Sequence, residues 1–130
     1  MTLDRPSSTK QIRILLVEDH LDTLTSFAKF LRSLGHLVFT ADGYQAAVDL
    51  AKKEPFDLAV CDIALWDGNG CELLKSLRKI QDFKAIAVTG FTLTDEIEDY
   101  QAAGFSAVFQ KPFNRSQITS AISQLTLPHP

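Results

Sequence analysis

Five short aliphatic runs alternate with longer stretches of helical spacing along this chain, and that alternation narrows its possible folds more than any other feature. A strand followed by a helix, repeated, forces the strands to run parallel, because each helix must cross the sheet to deliver the next strand. The runs cover residues 12–17, 37–40, 58–61, 85–88 and 107–110. Most are continuously apolar rather than alternating, as expected for strands covered by helices on both faces. Right-handed crossovers then leave the carboxyl ends of all five strands on one edge, where α/β folds bind their ligands.

The intervening segments carry readable ends. Leu21, Leu24, Ala28, Leu31 and Leu34 predict a first helix over 21–34, with Phe27 and Phe30 widening its stripe and Gly35 terminating it. A second helix is expected over 44–53, stopping before Pro55, and a third over 71–79 on Leu73, Leu74 and Leu77. The fourth begins near Thr94, places Asp95 and Glu96 in its first turn and ends at Gly104. The fifth opens on Asn114 as N-cap, with Gln117 three residues on, and presents Ile118, Ala121, Ile122 and Leu125. One domain over residues 11–126 follows, with polar, frayed tails at 1–10 and 127–130.

Composition excludes several classes. With 45% hydrophobic and 22% charged residues the chain matches an ordinary globular domain. No apolar run approaches the ~18–20 residues that span a bilayer, and no signal peptide is visible, so a cytoplasmic location is expected. A net charge of −3 with scattered basic residues offers no stripe for nucleic acid. Cys61 and Cys71 fit neither a CxxC pair nor a zinc ribbon and are expected to be reduced thiols. His20, His36 and His129 lie far apart without metal-ligand spacing, which points to solvent or packing roles.

The chemistry stands at the strand ends. Glu18 and Asp19 follow the first strand, Asp62 the third, Thr89 the fourth and Lys111 the fifth. Three converging carboxylates repel one another unless a cation intervenes, and Mg²⁺ suits an all-oxygen site with few protein ligands. Asp62, at the end of a buried strand, is placed as a nucleophile; Lys111 can offset charge on phosphoryl oxygens, and Thr89 can donate its hydroxyl to one of them. Gly90 leaves backbone space beside that hydroxyl. Taken singly, each residue has a plainer reading: Asp19 or Asp22 could cap the next helix, and Thr89 or Lys111 could be routine strand-end residues. Their joint appearance at four strand ends favours a site.

Leu15-Leu16-Val17-Glu18-Asp19, Asp62 with Gly70 eight positions later, Val88-Thr89-Gly90 and Gln110-Lys111-Pro112-Phe113 together closely resemble the receiver domains of two-component signalling. The resemblance spans about residues 13–125 and implies a flavodoxin-like (βα)5 three-layer sandwich with strand order 2-1-3-4-5. It also implies roles: Asp62 as phosphoacceptor, Asp19 as direct Mg²⁺ ligand, Glu18 as a mostly water-mediated one, and the Ala64 carbonyl completing the protein ligands. Thr89 and Lys111 would contact the phosphoryl group. The implied donor is a phosphohistidine on a histidine kinase or a histidine phosphotransfer domain. The implied output face is the fourth helix, fifth strand and fifth helix, with Thr89, Gly90 and Val108 in the switch region. Such a domain is a signalling receiver that catalyses its own phosphorylation and dephosphorylation, either free-standing or part of a larger regulator or hybrid histidine kinase.

The chain departs from the family pattern at three places. Trp66 replaces a Pro common four residues after the phosphoacceptor. Val108 stands where many relatives carry Tyr, Phe or His, with Phe109 on the opposite side of the strand. Phe91 and Ala64 flank the site with apolar groups, which predicts slow self-dephosphorylation because neither orients a water. A phosphatase of the haloacid-dehalogenase type needs a second acid at Ala64, and a flavin module would place phosphate against Glu18 and Asp19; both are disfavoured. The remaining alternative is a degenerate receiver acting only as an interaction module.

Overall fold

Leu24, Phe27, Ala28 and Leu31, the helical repeat of the first long segment, form the buried stripe of the first helix in the computed structural model. The structure describes residues 11–90 and 94–126, apart from the side chains of Thr94 and Asp95; the two expected tails, His129, Phe91 and the Asp95 side chain lie outside that set. In chain order the elements are β1 (Arg13–Val17), α1 (Leu21–Ser33), β2 (Leu37–Ala41), α2 (Tyr44–Ala51), β3 (Leu58–Asp62), β4 (Ala64–Leu65), β5 (Gly68–Asn69), α3 (Gly70–Arg78), β6 (Lys84–Thr89), α4 (Thr94–Ala103), β7 (Ala107–Gln110) and α5 (Arg115–Leu125). The five long strands form one parallel sheet in the order β2-β1-β3-β6-β7, which is 2-1-3-4-5 when those strands alone are counted. The expected fold class is therefore the observed one.

Alternation along each strand divides the core into two layers. Ile14, Leu16, Leu58, Val60, Ile86 and Val88 face α1 and α5, meeting Leu24, Phe27, Leu31, Ile118 and Ile122. Leu15, Val17, Ala59, Cys61, Ala85 and Ala87 face the other way, toward Ala47 and Ala51 of α2 and Leu73, Leu74 and Leu77 of α3. Small strand residues on that second face leave room for three leucines from one helix, as close packing demands. Each fully buried leucine stabilises the fold by about 1.5–3 kcal/mol. The half-exposed Arg13–Glu54 ion pair, at 2.6 Å, contributes about 0–1 kcal/mol, so the leucine layer fixes the helix positions.

Helix ends follow the sequence signals, with two exceptions. Gly35 (φ +96°) and Gly104 (φ +116°) adopt the left-handed backbone expected after α1 and α4. Asn114 caps α5 by accepting the Ser116 N–H at 2.7 Å. Neither Asp19 nor Asp22 caps α1, whose N-cap position is His20 without a side-chain bond. The N-terminus of α2 is satisfied from a distance: the Asp67 carboxylate accepts the N–H groups of Tyr44 (2.6 Å) and Gln45 (3.2 Å). Among the described residues no helix is long and apolar enough to cross a membrane.

Between Asp62 and α3 the chain folds into a small antiparallel ribbon of β4 and β5, paired Ala64 with Asn69 and Leu65 with Gly68. Trp66 sits at its tip, 75% exposed, where the family's common Pro would otherwise stand. The ribbon closes on Gly70, whose N–H donates to the Ile63 carbonyl at 2.7 Å. A Cβ on Gly70 would lie 2.7 Å from the Asp62 carbonyl oxygen and 2.8 Å from the Ile63 Cα, both backbone atoms that cannot swing aside. Gly70→Ala is expected to destabilise the domain by about 1–3 kcal/mol, as overpacking typically does; an unchanged urea midpoint would show that the ribbon yields freely.

Candidate functional site

The order β2-β1-β3-β6-β7 reverses direction between β1 and β3, which opens a crevice above their carboxyl ends. Glu18, immediately after β1, and Asp62, the last residue of β3, stand in it, 2% and 5% exposed. Burial this deep is unusual for carboxylates and requires partners. Lys111 supplies one: its Nζ lies 2.5 Å from Glu18 Oε1 and 3.0 Å from Asp62 Oδ2. Lys111 is held at the end of β7 by its own N–H, which donates to the Thr89 carbonyl at 2.7 Å, and the following peptide bond to Pro112 is cis.

The remaining acid oxygens are almost all engaged. Asp62 Oδ1 accepts the Ala64 N–H at 3.1 Å, and Asp19 Oδ2 accepts the Trp66 N–H at 2.6 Å. Glu18 Oε2 accepts the His20 N–H at 3.0 Å and lies 3.1 Å from His20 Nδ1. Asp19 Oδ1 is the exception: it is buried and has no hydrogen-bond partner. One ligand atom from each of Glu18, Asp19, His20 and Asp62 falls within 4.8 Å of the others, the dimension of a small cation site.

Charge is unevenly shared among these groups. Burial, reinforced by the Glu18 charge, pushes the Asp62 carboxyl above its ordinary value despite the opposing Lys111 and Ala64 bonds. Burial also pushes Glu18 upward, but the hydrogen bonds from Lys111 and His20 outweigh it and leave Glu18 below its ordinary value. Lys111 loses to burial and gains more from both carboxylates, so its ammonium is held charged. Of Glu18 and Asp62, Asp62 is thus the one whose charge is less compensated.

The structure brings Glu18, Asp19, Asp62, Ala64 and Lys111 to one place and puts Thr89, 5% exposed, at the end of the neighbouring β6. Gly90 is exposed, and a Cβ built there meets no atom within 4 Å, so the space expected beside it is present. Val108 is half-buried and packs into the Leu15 and Val17 layer, while Phe109 packs on the opposite layer. Sequence reasoning did not anticipate His20 or Tyr100. The sequence predicts a solvent or packing role for His20, yet its ring sits against both acids of the pair; its direct adjacency to Glu18 and Asp19 is the available signal. Tyr100 of α4 packs in the same layer as Val108. Its phenol is pushed up by burial and the Glu96 charge and eased by a hydrogen bond with Thr89. An aromatic ring thus reaches the threonine from the helix, not from the strand.

The other candidates behave as expected. His36 accepts the Ile12 N–H at 3.2 Å, a packing role. Cys61 and Cys71 are free thiols, and burial pushes Cys61 up to about 12, which keeps it unreactive.

Comparison with known proteins agrees with this geometry. The family model described as response regulator receiver domain matches residues 14–123. The response regulator receiver protein CpdR of Brucella abortus is 30% identical, over 88% of this chain and 97% of its own length. The alginate biosynthesis transcriptional regulatory protein AlgB of Pseudomonas aeruginosa is 31% identical over 91% of this chain, which spans only 26% of that protein. Among solved structures, the receiver domain of sensor histidine kinase PA1611 from P. aeruginosa superposes with a TM-score of 0.80 at 27% identity, covering 89% of this chain and 98% of that one; it carries a magnesium ion in its active-site cleft. The chain belongs to the response regulator receiver domain family. It is a phosphoacceptor module of two-component signalling.

The uneven charge has a stability consequence. Because the Asp62 carboxyl is raised in the folded chain, its ionisation opposes folding; that cost is absent below the ordinary carboxylate range and complete above the raised folded value. In metal-free buffer at neutral pH, Asp62→Asn is expected to raise the thermal midpoint, and the gain should shrink as the pH is lowered into the acid range. A lower midpoint for the variant at neutral pH would contradict this balance.

Proposed function

We propose that Asp62 is the phosphoacceptor and that it receives a phosphoryl group from a phosphohistidine on a histidine kinase or a histidine phosphotransfer domain. The observation that carries this reading is the Lys111 ammonium bridging Asp62 and Glu18 beside a buried Asp19 Oδ1 that makes no hydrogen bond. That oxygen is buried and makes no hydrogen bond, with the His20 ring nitrogen 3.2 Å away, an arrangement that leaves room for a hard cation. Asp19, Asp62 and the Ala64 carbonyl would hold Mg²⁺, with Glu18 acting through water. When bound, the ion supplies positive charge against the carboxylate and phosphoryl oxygens.

Transfer breaks the P–N bond of the donor imidazole and forms a P–O bond to an Asp62 carboxylate oxygen, the electron pair of the broken bond returning to the imidazole nitrogen. Lys111 gives up its contact with Asp62 to follow the phosphoryl oxygens, and Thr89 donates its hydroxyl to one of them. The modified aspartate carries a net charge of about −1.5 to −2, focused beside Thr89, Gly90 and Val108. That charge biases the α4–β7–α5 face, the surface through which an output domain or protein partner is engaged. Residues 11–126 act as one receiver unit in the cytoplasm, with or without further domains. An interaction-only module draws no support from a site in which each acid, the hydroxyl and the lysine are all present.

Incubation with acetyl phosphate and Mg²⁺ should add one phosphoryl group, detected by mass and located on Asp62 by peptide analysis, and chelation of Mg²⁺ should abolish it. Asp62→Asn should take up none, and label on that variant would sink the assignment. Ala64, exposed beside Asp62, has no group to orient a water. Ala64→Asn should therefore speed loss of the label by about tenfold or more; an unchanged lifetime would show that water positioning does not limit hydrolysis.

A further inference from the structure

We propose that Tyr100, on α4, is a positioning residue for the phosphoryl site: it holds the Thr89 hydroxyl in the resting chain, and phosphorylation breaks that bond and so reports directly to α4. The inference rests on the reading of Asp62 as phosphoacceptor and adds to it a residue from outside the acid cleft. Strand register carries the first step. β6 and β7 pair so that Ala87 stands opposite Val108 and Thr89 opposite Gln110. Ala87 and Val108 both lie in the layer that faces α2 and α3. Side chains two apart on a strand share a face, so Thr89 turns its side chain toward the same layer.

Packing supplies the second step. Tyr100 enters that layer from α4. Ala85 and Ala87 carry only methyl groups there and Val108 carries no ring, which leaves space beside Thr89 for an aromatic side chain from the helix. A hydroxyl as inaccessible as that of Thr89 needs a protein partner. Val108 has no polar atom to offer, and the Tyr100 phenol makes the hydrogen bond. The end of α4 is fixed in turn: the Tyr100 carbonyl accepts the Phe105 N–H at 3.2 Å, and the Ser106 N–H donates to the Ala85 carbonyl at 2.8 Å. Tyr100 therefore stands on a turn tied both to buried Phe105 and to β6, the strand that ends in Thr89.

Hydrogen-bond chemistry then makes the two partners of Thr89 compete. Its hydroxyl has one proton to donate, which goes either to the phenol oxygen or to a phosphoryl oxygen on Asp62. The phosphoryl oxygen is charged, and charge-assisted bonds are roughly twice as strong as neutral ones, so the phosphoryl group wins the exchange. No covalent bond is made or broken in this step. The Tyr100 phenol, on a half-buried ring, then takes water as its partner, and the turn of α4 that carries it is released from the site. Tyr100 thus opposes phosphorylation slightly and in return couples it to the helix.

A double-mutant cycle on the full chain tests the inference, with the rate of labelling by acetyl phosphate and Mg²⁺ as readout. Tyr100→Phe keeps the ring and removes the competing oxygen, and it should speed labelling by about two- to tenfold, the range that one hydrogen bond spans. In a Thr89→Val background, which keeps the shape of the threonine and removes its hydroxyl, Tyr100→Phe should change nothing further. A structural role for the ring would give the same effect in both backgrounds, and that result, or an unchanged or slower rate in Tyr100→Phe alone, would overturn the proposal. The chain has two tyrosines, so 3-fluorotyrosine labelling gives two fluorine resonances, and Tyr100→Phe identifies the one from Tyr100. That resonance should move on addition of acetyl phosphate and Mg²⁺, and Thr89→Val should move it before any phosphodonor is added. A resonance indifferent to Thr89→Val would show that the resting bond is not made. Wild-type protein that takes no label would overturn the phosphoacceptor reading and this inference with it, whereas label with a silent Tyr100 resonance overturns this inference alone.

Discussion

The contact on which the rest of this structure depends is the pair of hydrogen bonds that one ammonium donates to two buried carboxylates. Lys111 reaches Glu18 across 93 residues of chain and Asp62 across 49, so the contact can form only when β1, β3, β6 and β7 have already been set side by side. Without it, two nearly inaccessible acids would face each other in a medium where repulsion is poorly screened. The cost of the arrangement is offset elsewhere, by the leucine and isoleucine layers that clamp the sheet from both sides. Function is thus stored as local electrostatic discomfort inside a globally well-packed fold.

The ribbon after β3 extends that principle to the rim. Asp19 is tied to the Trp66 backbone, the Trp66 indole Nε1 donates to the Asp42 carbonyl at 3.2 Å, and Asp67 caps α2. A chain of bonds therefore joins an acid of the site to the N-terminus of a helix on the face covered by α2 and α3. In the same core layer, Tyr100 brings a phenol from α4 to Thr89, next to a half-buried Val108. The site thus has two connections to that face of the sheet, and both are made by aromatic residues that come from outside the five long strands.

Much of this was legible in the sequence, for identifiable physical reasons. Continuous aliphatic runs locate the strands because a strand buried on both faces has no polar positions to blur its ends. Gly35 and Gly104 mark helix stops because the left-handed backbone excludes a side chain. The acids, Thr89 and Lys111 could be gathered into one site because parallel strands deliver their carboxyl ends to the same edge. The ribbon of β4 and β5 was not legible, since two-residue strands have no periodicity. The Asp67 cap on α2 spans more than twenty residues and obeys no local rule. His20 escaped because metal-ligand spacing rules look for several histidines in register, whereas here a lone ring pairs with the two carboxylates that directly precede it in the chain.

Trp66 is the only tryptophan in the chain. Its amide is bonded to Asp19, while its indole is three-quarters exposed and hydrogen-bonded to Asp42. Indole emission responds to nearby charge and to the state of the Nε1 bond. The protein therefore carries its own optical gauge at the mouth of the acid cleft, so that cation entry and phosphoryl arrival can be followed in real time without attaching a dye or disturbing a single ligand.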